Sequence, residues 1–185
     1  VGETALDTLT YTITDGNGGT DTATVTITVQ GQNDGPAAID DTGTVPEDGP
    51  GITIDVLSND SDVDASDVLS IASIDTTGTQ GSASVVNGQI AYGPDGAFED
   101  LAVGETALDT LTYTITDGNG GTDTATVTIT VQGQNDGPAA LDDTGSVNED
   151  GPGITIDVLS NDTDVDASDV LSIASIDTTG TQGSA

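Results

Sequence analysis

The chain has 185 residues, of which 33 are Asp or Glu and none is Lys, Arg or His, giving a formal charge of −33. No internal salt bridge can form, and phosphate recognition needs Lys or Arg, so nucleic acid and anionic membrane are excluded as electrostatic partners. With no Cys there is neither a disulfide framework nor a thiolate metal site, and no apolar run approaches the ~18 residues of a membrane-spanning helix.

A charge this far from zero strains a compact state by self-repulsion, screened only beyond about 8 Å at physiological ionic strength. The protein supplies nothing positive to offset it, which points to bound cations. Disorder is not implied. Apolar residues make up 33 % of the chain, and Val, Ile and Leu recur in ordered patterns instead of being dispersed.

The first legible element is a hairpin over Leu9–Val29, where apolar residues alternate with Thr on both sides of a Gly-rich turn. Period-two alternation of β-branched residues is the pattern of half-buried antiparallel strands. The turn Gly16-Asn-Gly-Gly-Thr-Asp21 partly matches the nonapeptide that holds calcium in parallel β-rolls. It does not recur every nine residues, so a turn is the reading, with Asp15 or Asp21 as extra ligands. Lacking a Lys and a following helix, its glycines are no phosphate loop.

Gln32-Asn-Asp-Gly-Pro36 then breaks the strand pattern and marks a linker. Strands are expected over Ile39–Val45, Ile52–Leu57, Val68–Ile74, Ala83–Val86 and Gln89–Tyr92, the last two joined by the tight-turn pair Asn87-Gly88. A second hairpin follows, with strands Leu111–Thr116 and Ala125–Val131 and the turn Asp117–Asp123. Its Val, Ile and Tyr side chains should face the core and its Thr residues the solvent. Tyr113 suits either the corner-tyrosine position of such sandwiches or a plain core role.

About seven short strands in some 100 residues, with no helical periodicity, predict an all-β immunoglobulin-like antiparallel β-sandwich. A second linker, Gln134-Asn-Asp-Gly-Pro138, repeats the first. Val1–Ala83 returns as Val103–Ala185, a 102-residue period, with four mild changes: Ile39/Leu141, Thr44/Ser146, Pro46/Asn148 and Ser61/Thr163. A period of one domain length predicts tandem modules. The expected division is 1–33 as the last hairpin of one repeat, 34–135 as a complete repeat and 136–185 as the first half of the next, so the chain starts and stops inside domains.

The acidic residues cluster in loops. Asn59-Asp-Ser-Asp-Val-Asp-Ala-Ser-Asp67 spaces Asp60, Asp62 and Asp64 at alternate positions, with Asp67 close behind. Such oxygens can converge on a hard cation, and Ca2+ takes about six to eight of them. The loop is no EF-hand, since Ala65 and Ile71 stand where that motif needs Gly and Glu. Glu47-Asp48-Gly49 is a second acidic turn, and Asn33-Asp34 lies in the linker.

In a sandwich of this type the Asp60–Asp67 loop and the Asp117–Asp123 turn share one end. Glu47, Asp48 and the loop Gly93–Asp109, with Glu99, Asp100 and Glu105, share the other. That placement predicts calcium at each junction, gripped by Glu47, Asp48 and Glu105 of one module, Asn135 and Asp136 of the linker, and Asp164 and Asp166 of the next module. The candidate ligands are therefore Asn33, Asp34, Glu47, Asp48, Asp60, Asp62, Asp64, Asp67, Glu105 and Asp117. Asn135 and Asp136 join them, as do the repeat counterparts Glu149, Asp150, Asp162, Asp164, Asp166 and Asp169.

Glu47-Asp48-Gly49, Asn59-Asp60-x-Asp62-x-Asp64, Asn87-Gly88, Tyr92, the strand-turn Leu-Thr-Tyr-Thr-Ile-Thr-Asp-Gly-Asn-Gly-Gly and Asn-Asp-Gly-Pro follow one another in an order that resembles tandem-95 or VCBS-type repeats. These are cadherin-like modules of giant bacterial adhesins secreted by type I (RTX-type) systems. The linkers are similar to those of cadherins, where junctional calcium stiffens the chain, although that family usually reads Asn-Asp-Ala-Pro and Gly35 and Gly137 depart from it. The resemblance implies an extracellular, cell-surface calcium-dependent extender that carries a distal ligand-binding domain for adhesion and biofilm formation, with several Ca2+ per repeat and neighbouring repeats as partners.

Four rival readings stand against this. Catalysis by paired carboxylates has no His, Cys or Lys to assist it, and the protein is not expected to be an enzyme. Salt adaptation would spread acid over strand faces, which here carry Thr and Ser. Head-to-tail fibre assembly by strand complementation and a carbohydrate-binding module remain alternatives.

Overall fold

The computed structural model describes residues 2–183. Nine strands account for nearly all regular structure: β1 (Thr4–Thr14), β2 (Thr20–Gln30), β3 (Asp41–Pro46), β4 (Ile52–Ile54), β5 (Ser70–Asp75), β6 (Ser82–Val86), β7 (Gln89–Gly93), β8 (Thr106–Thr116) and β9 (Thr122–Gln132). Strands β3–β9 form two packed sheets, ordered β3-β9-β8-β5 and β4-β7-β6. This is the seven-stranded immunoglobulin-like sandwich that the strand count and alternation imply.

The alternation predicts the packing. In β9, Ala125, Val127, Ile129 and Val131 are buried while Thr122 and Thr124 are exposed. In β8, Leu111, Tyr113 and Ile115 are buried and Thr110 and Thr112 exposed. These faces meet Val45, Val56, Ile90, Tyr92 and Phe98 in one core. Each fully buried Val, Ile or Phe contributes about 1.5–3 kcal/mol from its apolar area.

One pairing is not antiparallel. Strand β3 runs parallel to β9, Asp41 opposite Val127 and Val45 opposite Val131. The chain leaves β3 for β4 in the facing sheet and does not turn back on its neighbour, so no hairpin imposes opposite directions. Gly43 permits the crossing, because a Cβ there would lie 2.6 Å from Cδ1 of Ile52 and 2.9 Å from Cδ1 of Ile54.

Other departures are local. The strand expected over Ile52–Leu57 ends at Ile54, and Val56–Ser58 form a 3-10 turn that buries Val56. Strand β8 starts at Thr106, well before Leu111, because its Asp109 points inward in phase with the core. Tyr113 lies late in β8, not near its start, so it does not occupy the corner position. It is a core tyrosine whose hydroxyl lies 3.0 Å from Ile39 O and 2.9 Å from Asp41 Oδ2.

Buried Asp109 is held by donors alone. Its carboxylate accepts from Tyr92 Oη at 2.7 Å, from Gly81 N at 2.9 Å and from Gln80 N at 3.0 Å. Burial pushes the carboxyl up, but the Gly81, Tyr92, Gln80 and Thr110 donors together outweigh it and hold the group below its ordinary range. The aspartate substitutes donors for a salt bridge, in a chain with no cation to offer.

Strands β1 and β2 pair with each other alone, and beyond β9 no strand occurs among the described residues. A single pair of bridges, Ala139 with Thr163, remains there.

Candidate metal centre

At the leading end of the sandwich, backbone N–H groups fold the acidic loop into place. Asp60 Oδ1 accepts from Ile39 N at 2.8 Å, Asp62 Oδ1 from Asp64 N at 2.8 Å and Asp64 Oδ2 from Asp34 N at 2.9 Å. The third of these bonds ties the linker to the loop, and the first ties the segment that follows the linker. Across the end, Asp117 Oδ1 gathers Asn119 N at 2.8 Å, Gly120 N at 3.0 Å and Gly121 N at 2.9 Å. Such wrapping needs glycine, and Gly120 has φ of 112°. Asp117 Oδ2 accepts from Asn33 Nδ2 at 2.8 Å.

These contacts leave oxygens over. One carboxylate oxygen from each of Asp62, Asp67 and Asp117 lies within 4.8 Å of the others. Asn33 Oδ1, Asp62 Oδ2 and Asp67 Oδ2 are buried with no donor.

The trailing end is built from three separate parts of the chain. Glu47, 3 % exposed, accepts from Gln134 N at 2.6 Å through Oε1. Asp136 N donates to Asp166 Oδ2 at 3.0 Å, and Asp166 is 2 % exposed. Ala167 N donates directly to Asp100 O at 3.2 Å. The oxygens converge as Glu47 with Asp136 and Asp166, Asp48 with Glu99 and Asp136, and Asp164 with Asp166 and Asp169. Asp136 and Asp166 each belong to two groups. Glu47 Oε2, Asp136 Oδ2 and Asp166 Oδ1 are buried without a hydrogen-bond partner.

The electrostatics follow from this crowding. Burial pushes the Glu47 carboxyl up, its bond from Gln134 pulls it down, and the charges of Asp48, Asp136 and Glu99 push it up again, for a net rise. Burial, with Asp48, Asp166 and Asp164, raises Asp136 in the same way. Asp117 goes the other way, lowered first by the Asn33 amide and then by the turn N–H groups. Buried, unpartnered carboxylate oxygens are costly and seldom left so. Donor sets made only of oxygen, several of them ionised, suit a hard divalent cation such as Ca2+.

Of the sequence candidates, Glu47, Asp48, Asp62, Asp67, Asp117, Asp136, Asp164, Asp166 and Asp169 fall in these groups. Asp34, Asp64, Asp60 and Asp162 fall in none; Asp60 and Asp162 accept from Ile39 N and Leu141 N instead. Asn33 adjoins the leading group through Asp117, and Asn135 Nδ2 donates to Asp136 O at 2.6 Å. Glu105 lies outside the groups, its carboxylate accepting from Ala102 N at 3.3 Å. Glu149 and Asp150 are exposed and in no group. Asp15 and Asp21 accept from turn and strand N–H groups. Glu99 is the member that the sequence did not single out, and nothing in its spacing separates it from Asp100 or Glu105.

An immunoglobulin-like sandwich with acidic groups at both ends and at the linker defines a cadherin-like structural domain. The chain belongs to the bacterial cadherin-like domain family, whose profile matches residues 33–133, while residues 1–28 match a bacterial Ig domain. No curated protein matches the chain. Cadherin-like domains generally bind Ca2+. Domains of both families are typically structural and non-enzymatic, and typical of bacterial surface proteins. Among the described residues, no helix is long and apolar enough to cross a membrane.

Proposed function

We propose that this chain is a calcium-binding extender of a large bacterial surface adhesin of the RTX type, acting outside the cell. Ca2+ at the loops and linkers stiffens successive modules into a stalk that projects a distal ligand-binding domain for adhesion and biofilm growth. The observation that carries this reading is the set of buried, partnerless oxygens on Glu47, Asp136 and Asp166. They come from one module, the linker and the segment beyond it. An ion held by all three joins what the linker alone leaves free to swing.

The arrangement explains why the protein tolerates its charge. Without an ion, Glu47, Asp48, Glu99, Asp136 and Asp166 repel one another in a partly desolvated space; with one, the same oxygens become ligands. Ion binding and junction closure are then one event, and rigidity follows calcium concentration.

Small-angle scattering in calcium and in chelator, at constant ionic strength, tests the proposal. The expected result is a longer, better-defined particle with calcium and a broader distribution of shapes without it. Superimposable profiles would overturn the stiffening mechanism.

A further inference from the structure

We infer that strand β6 is an interaction edge, which pairs antiparallel with β6 of a second copy of this chain about a two-fold axis at Ser84. The pairing uses none of the acidic groups and does not depend on calcium.

The sandwich has four edge strands, β3 and β5 in one sheet and β4 and β6 in the other. An open edge presents unpaired N–H and C=O groups, and soluble proteins blunt it with charge, proline, bulges or shortness. Three of the edges here are blunted. Strand β3 carries Asp41 and Pro46, β4 has only three residues, and β5 carries Asp75 and a register shift between Ile71 and Ser73. Strand β6, Ser-Ala-Ser-Val-Val over Ser82–Val86, has no charge and no proline, and its register with β7 is unbroken. It lies within Thr76–Pro94, the longest run in the chain without Asp or Glu. In a chain of charge −33, this is where a second copy meets the least repulsion.

The turn decides which backbone groups are free. Asn87 and Gly88, with φ of 52° and 79°, form a two-residue turn. Val86 and Gln89, which flank it, are therefore a hydrogen-bonded pair. By alternation Ser84 and Ser82 also bond towards β7, whereas Ala83 and Val85 turn their N–H and C=O groups to the open side. A second β6 laid antiparallel, with its Val85 opposite Ala83, satisfies all of them. The register is self-complementary, since Ser82 then meets Val86 of the second copy and Ser84 meets Ser84.

The side chains agree with this register. Val85 lies opposite Ile90 and Ala83 opposite Tyr92, so all four share the core face. Ile90 and Tyr92 are buried, yet Val85 is 43 % exposed, because no strand flanks it. Ala83 of the second copy covers it. Backbone groups, side chains and charge thus all match one occupant, a copy of the same strand.

One strand pair is a small contact and weak on its own; modules repeated along a stalk multiply it. The two-fold axis sets the paired strands, and with them the two modules, running in opposite directions. On the stalk reading above, that geometry suits stalks that project from facing surfaces.

The test uses the 185-residue chain, which has no cysteine of its own. Ser84→Cys sets two thiols in a non-hydrogen-bonded pair, about 4.5 Å apart at Cα, within reach of a disulfide. Val86→Cys, on the same face of β6, meets Ser82 of the second copy and finds no thiol. With copper phenanthroline and air as oxidant, Ser84→Cys should form covalent dimer at least about tenfold faster than Val86→Cys. Sedimentation equilibrium of the parent at about 0.5 mM should show a monomer–dimer equilibrium, as expected of a small interface. Ser84→Glu places like charges opposite each other and should abolish that dimer, while melting at the temperature of the parent. Equal cross-linking at the two positions, a dimer that survives Ser84→Glu, or a parent that stays monomeric would overturn the pairing. Superimposable scattering profiles in calcium and chelator would overturn the stiffening mechanism and leave the pairing standing.

Discussion

Leu9–Val29 and Leu111–Val131 have identical sequences and different surroundings. Both are hairpins in the same register, Tyr11 opposite Ala23 and Tyr113 opposite Ala125. Yet Tyr113 is 1 % exposed and Ile129 0 %, against 48 % for Tyr11 and 46 % for Ile27. The region 141–176 nearly repeats 39–74, but it holds none of the strands that form over Asp41–Pro46, Ile52–Ile54 and Ser70–Asp75. The hairpin needs only its own glycine turn. Strands β3, β4 and β5 each need a partner far along the chain, β9, β7 and β8. The hairpin finds its partner across its own turn, whereas β3, β4 and β5 find theirs in later segments that residues 141–176 do not have among these 185 residues.

The sharpest way to break this comparison is to make one substitution in both contexts. Ile129→Ala should lower the stability of the complete module by about 2–5 kcal/mol, the cost of a cavity in a packed core. Ile27→Ala, at the matching position of the exposed hairpin, should change unfolding by less than about 0.5 kcal/mol. Urea titrations of the two variants check this. Similar losses would mean that the first hairpin is packed in solution after all.

A smaller effect is expected at Asp109. Asp109→Leu strands the Tyr92 hydroxyl and the Gln80 and Gly81 N–H groups, and should cost about 2–3 kcal/mol at neutral pH. The matching Asp7→Leu in the exposed hairpin should be close to silent. The Asp109 carboxyl lies below its unfolded value in the folded protein. Its stabilisation is therefore full above the unfolded carboxyl range and is lost as pH falls through the folded value. The stability gap between parent and Asp109→Leu should narrow in that acid window, and a gap independent of pH would contradict the hydrogen-bonded assignment. The smallest effect belongs to Tyr113→Phe, which removes a buried hydroxyl facing Ile39 O and Asp41 and should cost about 1 kcal/mol; thermal melts report it.

The alternation of Thr with Val, Ile, Leu and Tyr made most strands legible, because a period of two leaves one face for water and one for the core. Asp109 broke that reading: a carboxylate in phase with core residues looks like a strand end until its donors from Gly81 and Tyr92 are visible. Asp55 is the opposite case: the strand expected over Ile52–Leu57 runs through it, whereas the chain turns there and buries Val56. In the acidic loops, spacing was enough to mark Asp62, Asp67, Asp164 and Asp166. It could not separate Asp60 and Asp162, which accept from Ile39 N and Leu141 N, from neighbours whose oxygens lack donors. Glu99 and Glu105 occupy the same long loop, and only the fold brings one to Asp136 and sends the other back to Ala102.

The most direct test of the metal-bound junction is thermal unfolding in millimolar calcium and after chelation, at constant ionic strength, for the parent chain and for Glu47→Gln with Asp166→Asn. Binding to the folded state alone adds RT ln(1 + [L]/Kd), about 4 kcal/mol at a thousandfold excess over Kd. The account predicts a large rise in melting temperature with calcium that sodium does not reproduce and that the double variant loses in part. Equal melting in calcium and chelator would contradict it and leave the acidic loops without an ion to hold.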